Sequence, residues 1–104
     1  MTEELKQLVE DAAKLLGYDQ CTNPEDGYFS KSRWGLFQFD PLDQERGDLM
    51  KVAMALRLNM RLDGGWLIGP ETDVGFAFEP DDHQSLALAI LRAASAVYKS
   101  RGGV

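Results

Sequence analysis

The chain carries a single cysteine and a single histidine. Cys21 therefore has no internal disulfide partner, and a lone thiol suits a reducing compartment. With His83 as the one imidazole, a zinc site would have to be assembled mostly from carboxylates, and no zinc-type spacing is present. Long apolar runs are missing as well: no stretch approaches the roughly 20 residues that a bilayer span needs. Met1 leads into Glu3, Glu4 and Lys6, where a secretory leader requires a positive start and then an apolar stretch. Positive charge is also scarce, with a net charge of −6 over 104 residues, and phosphate binding draws its affinity from clustered Lys and Arg. These absences point to a soluble, cytoplasmic protein that engages neither nucleic acid nor membrane.

What is present suffices for one folded unit. The composition is 44% hydrophobic and 27% charged, near globular averages, and dividing so short a chain would leave two pieces too small to bury useful cores. A single domain over residues 1–104 is expected. Charge is unevenly spread: residues 1–30 are net −5, residues 31–62 net +2 and the remainder net −3. An anion site would therefore fall in the middle third.

Leu5, Leu8, Val9, Ala12, Leu15 and Leu16 recur at three-and-four spacing, which predicts a helix over 3–16 stopped by Gly17. From 18 to 33 the periodicity lapses and Asn23, Pro24, Asp26 and Gly27 mark a long connection, with Tyr28 and Phe29 either a short strand or tucked beneath it. The aromatic segment 34–39 reads as a strand. Asp40 and Pro41 then suit the start of a second helix over 41–56, facing Leu42, Leu49, Met50, Ala53 and Leu56 inward, with Gly47 weakening its first turns. Leu58, Met60 and Leu62 alternate with Arg57, Asn59 and Arg61 as in a half-buried strand. A turn at Asp63, Gly64 and Gly65 leads to a strand over 66–68, and Val74, Phe76 and Phe78 alternate in a third, completing a meander. Asp81 with Gln84 forms a capping box for a third helix over 82–99. That helix is apolar nearly all round, and its alanines predict a central position. The order is α-β-α-β-β-β-α, an α/β fold with one mainly antiparallel sheet covered by helices.

Few residues gather by spacing into a chemical site. Cys21 and His83 could pair as nucleophile and base only if the loop met the start of the third helix. Asp81 and Asp82 serve better as helix caps than as an acid–base pair or cation site. Asp40, Asp43 and Asp48 lack the twelve-residue calcium-loop pattern, so they read as a solvated helix face. Gly64 and Gly65 serve a turn. Arg57 and Arg61, four apart on a strand and thus on one face, could hold a phosphate or carboxylate, or simply pair with Glu79 or Asp63. Trp34 and Trp66, with Tyr28 and Arg33, are the interface candidates, since tryptophan, tyrosine and arginine anchor many protein interfaces. No catalytic residue, metal site or cofactor is expected.

Phe39-Asp40-Pro41-Leu42 opening a helix, the strand Leu58-Asn59-Met60-Arg61-Leu62, the glycine turn into Trp66, the strand from Val74 to Phe78 and Leu88-Ala89-Ile90-Leu91-Arg92-Ala93-Ala94 together resemble the phage ABA sandwich domain family. The resemblance spans most of the chain, least so over 18–33. It implies a three-layer α/β/α sandwich and a bacteriophage or prophage gene expressed in a bacterial host, with no catalytic residues to carry over. The charged alternate face of 58–62 also fits a two-layer arrangement. The leading expectation is a non-enzymatic accessory protein that binds a host or phage protein, such as a host defence or metabolic component. A nucleotide- or anion-binding module at Arg57 and Arg61, and a virion or assembly component, are the alternatives. A symmetric homodimer would fit the apolar third helix and the spare aromatics.

Overall fold

A computed structural model describes residues 3–17, 20–23, 28–31, 35–38, 41–42, 47–61, 63–72 and 74–102, with 20–23, 28–31 and 35–38 as backbone only. The elements run α1 (Glu3–Leu15), β1 (Gln20–Asn23), β2 (Tyr28–Lys31), β3 (Gly35–Gln38), α2 (Asp48–Ala55), β4 (Asn59–Arg61), β5 (Trp66–Ile68), β6 (Phe76–Ala77) and α3 (His83–Ser100). The mixed α and β content matches expectation. The single sheet does not: the strands form two separate three-stranded antiparallel sheets, ordered β1-β2-β3 and β4-β5-β6.

The first sheet arises where a long connection was expected. Gln20, Cys21 and Asn23 pair with Ser30, Phe29 and Tyr28, with a register shift between Cys21 and Asn23, and β2 continues onto β3 with Phe29 opposite Phe37. Tyr28 and Phe29 are thus strand residues. The polar sequence Gln-Cys-Thr-Asn shows no apolar alternation, so main-chain pairing holds a strand that side-chain pattern could not announce.

Helix α3 lies at the centre, packing against α1, α2, β5 and β6. Ala87, Ala89, Ala93 and Ala94 are all buried, together with Ile90, Leu91 and Val97, and the small side chains let neighbouring backbones approach closely. Against it α1 sets Leu8, Val9, Ala12 and Ala13, α2 sets Leu49, Val52 and Ala53, and the second sheet contributes Leu67, with Phe78 following it. Burying each larger aliphatic side chain stabilises the fold by about 1.5–3 kcal/mol. The cap of α3 falls one residue later than the capping-box spacing suggests, because the Asp82 carboxylate accepts from the Gln84 N–H at 3.0 Å.

Helix α2 is shorter than expected. Gly47 adopts a left-handed φ of 75° and stands as its N-cap, so the backbone breaks where the periodicity had run through; Pro41 and Leu42 form a turn. The helix then ends in a second left-handed residue, Arg57, at φ 54°. Further along, the β4–β5 turn depends on Gly65. Its φ is 61° and an added Cβ would strike the Phe78 carbonyl, while the Phe78 N–H donates to the Gly65 carbonyl at 2.8 Å.

Candidate protein-docking face

In the second sheet the expected alternation holds: Met60 and Leu67 turn inward, while Asn59, Arg61, Trp66, Ile68 and Ala77 are exposed on the outer face. Trp66 stands on the central strand, with Arg61 opposite it on β4 and Ala77 opposite it on β6. The indole is 45% exposed, beside Ile68 at 40% and Val74 at 63%. Gly75 explains how it is held. A Cβ there would fall within the indole ring, so one side of Trp66 rests directly on the Gly75 backbone while the rest meets solvent. Val74 was expected to point inward in a longer strand, but β6 begins only at Phe76.

The segment that follows β5 is fastened twice, at Thr72 and at Glu71. The Thr72 hydroxyl accepts from the Gly69 N–H at 2.8 Å and donates to the Gly69 carbonyl at 2.9 Å. Glu71 forks onto Arg101, just past the end of α3, accepting from Nε at 2.7 Å and from the terminal guanidinium nitrogen. That hydrogen bonding, and then the nearby positive charges of Arg101 and Arg57, hold the Glu71 carboxyl below its ordinary value, while Arg101 is shifted up.

Arg57 and Arg61 are not neighbours on one strand face. Arg57 lies in the turn after α2, because its left-handed backbone ends the helix before the strand begins, and only Arg61 belongs to β4. Arg57 borders a groove of about 370 Å³ formed with Met50, Ala53, Met54, Leu58 and Met60. Met50, expected inward, is 46% exposed, since the helix begins at Asp48 and turns Leu49, Val52 and Ala53 to the core instead. Trp34 and Arg33 lie outside the described residues, and Tyr28 is described by its backbone alone.

Three polar features escape the sequence pattern. Asp11 is buried between α1 and α3, its carboxylate accepting from the Ser95 hydroxyl at 2.6 Å and from the Gln7 amide at 3.0 Å. Ser95 amid a run of alanines was the available signal. Asp48 is buried rather than solvated, 1% exposed, with the Lys51 ammonium 3.5 Å away. His83, at the start of α3, is half-buried, and its Nε2 is buried with no hydrogen-bond partner among the described residues. Among those residues no three His, Cys, Asp or Glu side chains group so as to hold a metal, and no helix is long and apolar enough to cross a membrane. A second hollow of about 290 Å³, lined by Lys14, Leu15, Tyr98, Arg101 and Gly102, sits at the C-terminal ends of α1 and α3, where helix dipoles disfavour anions.

Searches against family models, curated proteins and solved structures find no match to this chain.

Proposed function

We propose that this chain is a non-enzymatic accessory protein of the phage ABA sandwich kind, working in the bacterial host cytoplasm by docking another protein on the outer face of β4–β6. The observation that carries this reading is Trp66, set at the middle of the sheet, rested on Gly75 and left 45% exposed beside Arg61 and Ile68. A large, rigid aromatic surface with an adjacent guanidinium is what interface hot spots are built from, because ordering it on binding costs little. The net charge of −6 favours a partner with a basic surface around an apolar centre. The helices cover one face of the second sheet, as in the two-layer arrangement that the charged face of 58–62 also fits, and the face that carries Trp66 is open to a partner.

The test is affinity capture from host cells followed by reconstitution with the purified candidate, comparing the native protein with Trp66→Ala and with Arg92→Ala, an exposed change on α3. Truncating a central tryptophan should weaken binding by about 30-fold or more, and Arg92→Ala should leave it unchanged. Equal capture by Trp66→Ala would remove the proposal.

A further inference from the structure

Three of the four methionines in the chain line the groove between α2 and β4. Met50 and Met54 are four apart, hence stacked on one face of α2, and are 46% and 74% exposed. Met60 faces them from β4, and Ala53, 2% exposed, lies at the base. Unbranched, polarisable thioether side chains adapt to whatever apolar group enters, so a methionine-lined groove is a mouldable apolar seat.

Arg57 stands at the edge of this groove in a conformation that is costly for it. Among the described residues it is the one non-glycine with positive φ, at 54°, where glycine is the least strained occupant. Among the described residues its guanidinium has no hydrogen-bond or ion-pair partner; Glu71, whose carboxylate feels its charge, is already engaged by Arg101. An apolar trough ending in an uncommitted cation is complementary to an amphipathic helix with an acidic residue beside its apolar stripe.

We infer that the α2–β4 groove is a second docking site, separate from the Trp66 face, whose occupant is an amphipathic helix of a partner protein with its apolar side chains on Met50, Met54 and Met60 and a carboxylate on Arg57.

The probe is a synthetic 16-residue capped helix with leucines at i, i+3, i+7 and a flanking glutamate, set against the same peptide with lysine in place of the glutamate. Methyl resonances of Met50, Met54 and Met60 should shift with the glutamate peptide, which should bind about tenfold more tightly than the lysine peptide. Arg57→Gly should abolish that preference while leaving the melting temperature equal or higher, since glycine relieves the backbone, and Trp66→Ala should leave peptide binding intact. Equal binding of the two peptides, or unmoved methionine methyls at millimolar peptide, overturns the inference. So does a concentration-dependent shift of those methyls without peptide alongside a dimer in sedimentation, which would make the occupant a second copy of the chain.

Discussion

Removing the Ser95 hydroxyl leaves an Asp11 carboxylate oxygen in the α1–α3 interface without its 2.6 Å donor. Ser95→Ala is therefore expected to destabilise the fold by about 1–3 kcal/mol, the cost of an unsatisfied buried acceptor, read as a lower urea midpoint with unchanged slope. Removing both groups with Asp11→Ala and Ser95→Ala should cost less than the two single changes combined, because neither then strands the other. Gly75 makes a different demand. Gly75→Ala should push the Trp66 indole off the backbone it rests on, and in a Trp34→Phe background the tryptophan emission should move to the red. Glu71 adds a pH dependence. Its folded-state pKa is depressed, chiefly by hydrogen bonding to Arg101, so the stabilisation is complete above the unfolded value of about 4.5 and is lost as pH falls through the folded one. The Glu71 carboxyl resonance should titrate below ordinary glutamates, and Arg101→Gln should move its midpoint back up.

The elements divide according to how their sequences announce them. Helix α1 was readable almost to the residue, since its apolar positions, acidic first turn and Gly17 stop all agree, and Gly17 takes the left-handed φ of 92°. Helix α3 was readable because alanine at Ala87, Ala89, Ala93 and Ala94 is useful only where something packs closely. Ala93→Leu should then cost about 1–3 kcal/mol or more by overpacking, while the same change at exposed Ala96 should stay within about 0.5 kcal/mol, both measured by thermal unfolding. The start of α2 was not readable, as Leu42 and Leu49 keep helical spacing across a glycine that breaks the backbone. For β1 and β2 the stabilising groups are main-chain amides, invisible to side-chain periodicity. Arg57 was misplaced for a related reason: alternation from Arg57 to Arg61 is compatible with a strand, and nothing in the residue types reveals a left-handed turn at its first member. The partial exposure of Trp66, 45%, was legible because a large aromatic at a strand end beside a glycine turn has few places to hide. The methionine groove was not, since methionines read as core until the helix start is fixed.

At the scale of the molecule, the packing runs through α3, which α1, α2, β5 and β6 all meet. Backbone amides at Ile90 to Ala94 should accordingly exchange with solvent only through global unfolding, and those of β6 and the 69–75 segment through local opening; hydrogen exchange resolved by residue checks this ordering. The charge map has a whole-molecule consequence too. Arg57 offers its positive charge on a molecule of net −6, so its attraction for a carboxylate acts at short range. Docking of a basic-surfaced partner on the Trp66 face should slow and weaken as salt rises past the roughly 10 Å screening length reached near 0.1 M, and the preference for glutamate over lysine at Arg57 should shrink over the same range.

Among the described residues, α3 is synthesised after every element it packs against. As the ribosome extends the chain, the inner faces of α1 and α2 emerge before residues 83–100 exist to meet them, and Asp11 waits 84 positions for Ser95. The nascent polypeptide therefore holds those faces without the cover of α3, or lends them to a chaperone, until residues 83–100 emerge to pack on them.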